Sequence, residues 1–354
     1  MRNKLKSFFT EHWKYMAVSA ACKLNLFDHL QDAKTAQQLG IELSLNEDKL
    51  LLLLDALNNA NFLEKEGDFF QNNSLSEFLI ESNPNSLKYA CINWSDEHLT
   101  AWQNLDYSIK TGKSSFEEIY KKPFFDFLND NPEKLHAYHK AMYQYAKDDY
   151  KTLTDVIDFS KHKSVMDVGG GYGAALENIK AKNPSVECIL FDLEKVVERV
   201  NIQNIRKISG SFFDKIPNLS EAIVLSRVLH DWNNEKASVI LRNCFNALPN
   251  NGTLYVVENL AEKIKDIFLL SLSMTVICES YERTKNEYKK LLAEEKFNVV
   301  RTYIHNVKQK YIIILEPQRS GKDYYFITAY YLEKKYGGLK MIKKKYENKL
   351  DMVY

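Results

Sequence analysis

Val165-Met-Asp-Val-Gly-Gly-Gly-Tyr-Gly-Ala-Ala-Leu176 sets three consecutive glycines, and a fourth at Gly173, between a short apolar run and a helix-compatible pattern. A strand, a tight turn and a helix are read from it. Glycines tolerate positive φ and let the backbone lie directly against a ligand, and a helix start offers unbonded N–H groups to a polar or anionic moiety. A nucleotide-like cofactor is the natural occupant. The next predicted strand, Val186-Glu-Cys-Ile-Leu-Phe191, delivers Asp192, an acid about 20 residues past the glycines, where ribose hydroxyls are commonly gripped. A glycine-rich turn alone is equally a structural feature; the acid at that distance favours a cofactor.

Working outward toward the C-terminus, the chain continues with Lys207-Ile-Ser-Gly-Ser-Phe-Phe213 and the strand Ala222-Ile-Val-Leu-Ser226. A helix from Glu235 to Leu248 and the strand Thr253-Leu-Tyr-Val-Val-Glu258 follow. Such alternation predicts an α/β, doubly wound Rossmann-like domain, with parallel strands covered by helices on both faces and ligands at the strands' carboxyl ends. Two residues able to do acid–base chemistry fall at those ends: His230, in Arg227-Val-Leu-His-Asp-Trp232, and Glu258. A lone histidine is often structural. One that follows a strand of the cofactor half, beside an acid and a tryptophan, is read as an acid or base.

Toward the N-terminus, Trp13, Met16, Ala17, Ala20, Ala21 and Leu24 recur at three- and four-residue steps, which predicts an amphipathic helix ending near Asn25. Thr35 caps a second helix through Leu39. Asn46 or Glu47 opens a third, whose Leu50 to Leu54 and Leu57 predict burial on more than one side. The alternation of Asn61 to Phe70, with a turn at Gly67-Asp68, predicts a β-hairpin wing. The pattern is winged-helix-like, and such modules often bind DNA. Here the would-be reading helix carries Glu47, Asp48, Lys49 and Asp55, more acid than base, so a dimerisation surface over residues 1–90 is the better expectation.

Residues 91–150 stay helical and aromatic, from Trp94 and Trp102 through Phe124 and Phe125 to Tyr138, Met142, Tyr143 and Tyr145. They are read as a linker that is either plain core or the wall of a pocket for a flat apolar substrate.

The 354 residues are 45% hydrophobic and 27% charged with a net charge of +1, which fits about two globular domains and offers no overall attraction to nucleic acid or membrane. The apolar stretch from Ile267 to Cys278 is too short and too interrupted to span a bilayer, and no signal-peptide pattern precedes Trp13, so a cytoplasmic location is expected. Cys22, Cys91, Cys188, Cys244 and Cys278 lack metal-like spacing and read as packing residues.

Taken together, Asp167-Val-Gly-Gly-Gly-Tyr-Gly173, Phe191-Asp-Leu193, Gly210-Ser-Phe-Phe213, Val228-Leu-His-Asp-Trp232, Val257-Glu258 and Glu282-Arg-Thr284 with Glu287 resemble a known family. It is that of the S-adenosylmethionine-dependent small-molecule O-methyltransferases, the caffeic acid and acetylserotonin type with its bacterial natural-product tailoring members. The resemblance runs from about residue 12 to residue 316. It implies a homodimer without a metal, S-adenosylmethionine as cofactor and an aromatic hydroxyl compound of secondary metabolism as substrate. By the same resemblance, His230 is the general base flanked by Glu258 and Glu282. Cofactor contacts are implied at Asp167, Gly169, Gly171, Gly173, Asp192, Leu193, Ser211, Phe212, Ser226 and Arg227. Substrate-pocket positions are implied at Trp102, Met142, Tyr143, Trp232, Met274 and Cys278. The chemistry suits these types: a phenol has a pKa near 10, and a histidine titrating near 6.5 is placed to take its proton at neutral pH.

Ser211 and Ser226 stand where the family has Asp and Lys, and Glu194 where it commonly has Pro. Residues 317–354 run past the family's last strand with nine Lys/Arg against four Asp/Glu. A solvated extension is expected there, with a strand from Tyr324 to Leu332 and a basic helix from Lys334 to Lys349; contact with RNA or an acidic partner is the other reading. The rival readings of the whole chain are a relative doing decarboxylation, hydroxylation or cyclisation with the same cofactor, and a non-catalytic interaction protein.

Overall fold

The computed structural model describes residues 1–150, 153–261, 267–307, 310–312 and 323–329. It divides into two compact units. The first comprises Met1–Asn104 with Phe125–Tyr145, and the second Leu105–Phe124 with Ala146–Tyr354, so the aromatic stretch 91–150 is shared between them.

In the first unit, helix α1 (Arg2–Lys23) is followed by a short strand β1 (Lys34–Thr35), α2 (Ala36–Leu43), α3 (Glu47–Asn59) and the hairpin β2 (Leu63–Glu66) and β3 (Phe69–Asn72). Thr35 caps α2 in a full capping box with Gln38, and the Asn46 side chain accepts from the Lys49 N–H to start α3; each such cap is worth about 1 kcal/mol. The hairpin turns at Gly67, φ 57°, and β3 lies between β1 and β2. The core gathers Ala21, Leu26, Phe27, Leu39, Leu54, Leu57 and Phe70.

Burial of α3 on several sides is not found. Leu50, Leu54 and Leu57 are buried, whereas Leu51 is 40% and Leu52 63% exposed, because only one face of the helix has a partner within the unit. On α1, Leu5, Phe8, Phe9 and Trp13 recur at helical spacing and are likewise exposed, Trp13 at 64%. Water in contact with that much apolar surface favours its burial against another surface. We expect Trp13→Glu with Leu52→Glu to sediment as a monomer at micromolar concentration where the parent chain is a dimer; a monomeric parent would refute the assignment of this surface.

In the second unit, helix α4 (Pro132–Tyr150) contributes its last turn, and an eight-stranded sheet forms the centre. In chain order this unit contains β4 (Ser164–Val168), α5 (Ala174–Lys182), β5 (Glu187–Asp192), β6 (Arg206–Ser209), β7 (Ala222–Ser226), α6 (Asn234–Ala247) and β8 (Thr253–Glu258). There follow α7 (Ile267–Cys278), α8 (Lys285–Glu294), β9 (Asn298–Val307), β10 (Lys310–Ile312) and β11 (Asp323–Ala329). The sheet order is β10-β9-β11-β8-β7-β4-β5-β6. All neighbours are parallel except β10, which runs antiparallel to β9 and β11. Strands β4, β7 and β8 are buried along their whole length, which is why they read as unbroken apolar runs rather than alternating ones.

The stretch Lys207 to Phe213 holds the end of β6 at Ser209, and Gly210 N–H bonds to the Asp192 carbonyl at 2.9 Å where the chain leaves the sheet. One further expectation is corrected. Residues 323–329 are not a solvated extension: β11 lies between β8 and β9, inside the sheet. The basic helix read at Lys334 to Lys349 falls outside the described residues, as do residues 313–316 of the family's last strand. No helix among the described residues is long and apolar enough to cross a membrane.

Candidate active site

The carboxyl ends of β4, β5, β7 and β8 bring the cofactor-type and acid–base residues of the second unit together. After β4, Gly169, Gly171 and Gly173 adopt φ of 72°, 56° and 81°, left-handed conformations that cost a side-chain-bearing residue free energy. The turn is tied down by Gly169 N–H to the Phe191 carbonyl at 2.8 Å, while Gly171 N–H donates to Oδ2 of Asp192 at 2.8 Å. The other oxygen of Asp192 accepts from Leu193 N–H at 2.7 Å. Asp192 therefore bridges the glycine turn and its own loop, with burial pushing its carboxyl up to about 6.

Asp167 lies one strand inward. Burial, and then the charge of Asp192, push its carboxyl up to about 7, and its Oδ1 has no hydrogen-bond partner among the described residues. Two buried acids and one unsatisfied oxygen beside a glycine turn are suited to a cationic, hydroxyl-bearing ligand. A Cβ at Gly169 would stand 3.0 Å from Val228 Cγ2 and 3.2 Å from Phe212 Cε1, so the turn already packs closely on the loops from β6 and β7.

Phe212 stands edge-on to Phe213 and Trp232, at centroid distances of 4.9 and 6.0 Å, and Phe213 meets Trp232 at 4.7 Å. Ser211 Oγ accepts from Phe213 N–H at 3.1 Å, fixing that turn. At the end of β7, Ser226 is buried and donates to the hydroxyl of Tyr150, and Arg227 takes a left-handed φ of 55° that turns the chain sharply into the next segment.

That segment is a single 3-10 turn, Leu229–Asp231, and it carries His230. Nδ1 of His230 lies 2.9 Å from Oε1 of Glu282, and Nε2 lies 3.5 Å from Oδ1 of Asp231. Glu282 also accepts from Asn259 Nδ2 at 3.1 Å. Despite burial, which alone would raise it, the charge of His230 and its hydrogen bond hold the Glu282 carboxyl below the usual range. An ionised Glu282 accepts a hydrogen bond from Nδ1–H, and in the neutral ring this leaves the lone pair on Nε2. Burial by itself pushes the His230 imidazolium down, but the carboxylates of Glu282, Asp231 and Glu258 outweigh it and raise the group to about 9.

Glu258 has different contacts from Glu282. Its Oε1 accepts from the backbone N–H groups of Val228, Leu229 and His230 at 3.1, 2.8 and 3.4 Å, so it gathers the turn rather than bonding the ring. Burial pushes Glu258 up to about 7, and its Oε2 has no partner among the described residues. The histidine and two glutamates offer atoms within 4.8 Å of one another. Those are also metal-ligand types, but Nδ1 and Glu282 Oε1 are already committed to each other.

The residues implied for a substrate pocket divide between units. Trp102, Met142 and Tyr143 belong to the first; Trp232, Met274 and Cys278 belong to the second, where Met274 is buried on α7 and Ser280 Oγ donates to the Trp232 carbonyl at 3.0 Å. Residue-by-residue reading missed Arg283, Asn259 and Tyr150. Asn259 directly follows Glu258, and Arg283 stands inside the quoted Glu-Arg-Thr motif, which is the signal that was available.

Known proteins resemble this chain over most of its length. The profile of an O-methyltransferase domain matches residues 102–298, and that of an O-methyltransferase dimerisation domain matches residues 7–82. The chain is 29% identical over 310 residues to phenazine O-methyltransferase PhzM of Lysobacter antibioticus, covering 84% of this chain and 91% of that protein. The crystal structure of LaPhzM is similar with a TM-score of 0.82 at 28% identity, over 92% of this chain and 98% of that one. Human N-acetylserotonin methyltransferase in complex with SAM shares the fold, with a TM-score of 0.81 at 23% identity over 90% and 98% of the two chains.

Proposed function

This chain belongs to the O-methyltransferase family, and from that premise we propose that it methylates a hydroxyl of an aromatic natural product, with His230 as the general base. It is an S-adenosylmethionine-dependent enzyme and a homodimer. When bound, the cofactor supplies a methyl group on a sulfonium, whose C–S electron pair leaves with sulfur. The observation that carries the role of His230 is its 2.9 Å contact with a buried, ionised Glu282, which leaves Nε2 as the acceptor.

In this reading the glycine turn, Asp167 and Asp192 bind the cofactor, and unsatisfied Asp167 Oδ1 is suited to a cationic group of it. The hydroxyl proton passes to Nε2 as the oxygen forms its bond to carbon, and Glu282 steadies the resulting imidazolium. Glu258 holds the turn. The buried setting strengthens each of these interactions relative to water.

Incubation with methyl-labelled S-adenosylmethionine and a panel of phenols, including phenazine and hydroxybenzoate types, tests the activity: label on a product oxygen is expected. An unlabelled product that has lost a carboxylate or gained an oxygen, with the cofactor's methyl group retained, would replace methylation by another chemistry.

A pH dependence follows from the same cluster. The imidazolium of His230 is raised to about 9, so the free base is the minor form at neutral pH. The value of kcat/KM should therefore rise about tenfold per unit from pH 6 to 8 and level off near 9. A plateau beginning below pH 7 would show that no group of this kind must lose a proton.

A further inference from the structure

Arg283 is the largest side chain wholly withdrawn from solvent among the described residues. Each of its guanidinium nitrogens has a partner: Nη1 donates to the carbonyl of Leu229 at 2.8 Å, Nη2 to the carbonyl of Trp232 at 2.6 Å, and Nε to Oδ1 of Asn234 at 2.9 Å. The rings of Tyr281 and Tyr288 stand 5.7 and 5.6 Å from its central carbon.

Leu229 and Trp232 bracket His230. The turn is thus gathered twice, its N–H groups by the carboxylate of Glu258 and its carbonyls by the guanidinium of Arg283. The residue before Arg283 is Glu282, which holds the imidazole itself. The Arg283 carbonyl accepts from Ala261 N–H at 3.0 Å, just past β8, and Thr284 closes a capping box that starts α8. One buried side chain therefore fixes the spacing between the backbone bearing the histidine and the backbone bearing its carboxylate. A planar fork with fixed donor directions can span two carbonyls in this way, whereas a lysine is a single point charge on a flexible stem.

We propose that Arg283 is a positioning residue for methyl transfer, setting through Leu229 and Trp232 where Nε2 of His230 meets the reacting hydroxyl. The proposal rests on His230 being the base. Displacing a reacting group by about 1 Å costs on the order of 100-fold in rate, so loss of the fork should be read in turnover before it is read in binding.

The test compares Arg283→Lys, which keeps the charge and loses the fork, with Asn234→Ala, which removes only the Nε partner from an exposed residue. His230→Gln is run beside them. Turnover, affinity for S-adenosylmethionine by calorimetry, thermal midpoint and the pH profile are measured on the full chain. Arg283→Lys should lower kcat about 10- to 100-fold, with cofactor affinity within about twofold of wild type. The acid limb of kcat/KM should move to lower pH, because a looser contact with Glu282 gives the imidazolium less support. Asn234→Ala should move both quantities the same way by a smaller factor, and it decides the matter if the lysine variant does not fold. Wild-type kcat and pH profile in the folded variants, whatever happens to the thermal midpoint, with His230→Gln inactive, would make Arg283 merely structural and overturn the proposal. Wild-type turnover by His230→Gln would instead remove the base on which it rests.

Discussion

His230→Gln should turn over a phenolic substrate at least about 100-fold more slowly than wild type, with S-adenosylmethionine bound within about twofold of the wild-type affinity. Glutamine approximates the length of the side chain and can still donate to Glu282, so the carboxylate is not left buried and unpartnered, which would cost a few kcal/mol. What it lacks is a basic nitrogen at the Nε2 position. The glycine turn and Asp192, proposed to bind the cofactor, follow β4 and end β5, and none of their hydrogen bonds given above involves the histidine. Loss of cofactor affinity together with turnover would point to a collapsed turn and count against His230 as the base.

Gly170→Val should weaken cofactor binding at least about 30-fold and lower stability by roughly 1–3 kcal/mol. At this glycine the reason is space rather than φ. A Cβ would sit 2.5 Å from Oδ2 and 2.6 Å from Cγ of Asp167, and 2.7 Å from Cδ1 of Leu190. Both neighbours are buried on central strands and have nowhere to retreat. Relief must come from moving the turn, and the turn is tied to Asp192 through Gly171 N–H. Calorimetric titration and thermal melting measure the two effects; unchanged affinity would show that the turn does not contact the cofactor.

Much of this was open to inspection in the sequence because the relevant signals are local. The strand, glycine turn and helix around Gly169 to Gly173 lie within a dozen residues, and Asp192 follows at the end of the next strand. Thr35 and Asn46 announce their helices by capping chemistry alone. The exposure of Leu51 and Leu52 was not legible, since a run of leucines states how much apolar surface there is and not which side of the helix finds a partner within one chain. The strand read at Tyr324 to Leu332 carried no sign of its slot between β8 and β9, because strand order is decided by contacts distant in sequence.

Within the site, residue types foretold less than partners did. Glu258 and Glu282 are the same side chain at the end of a strand and in an irregular loop, yet one bonds backbone N–H groups and the other an imidazole. The Glu-Arg-Thr motif drew attention to Arg283 but not to what it holds, because two of its three partners are backbone carbonyls, which every residue possesses and no motif displays.

The base role of His230 is tested most directly by how the penalty of His230→Gln depends on the acidity of the phenol. Rates of methyl transfer are measured for wild type and variant at pH 8 on substrates of one skeleton whose hydroxyl pKa runs from about 10 down to about 6. If His230 removes the proton, the wild-type advantage of about 100-fold or more on the weakest acid should shrink toward unity on phenols already ionised in solution. An advantage that stays the same across the series would contradict general-base catalysis by His230.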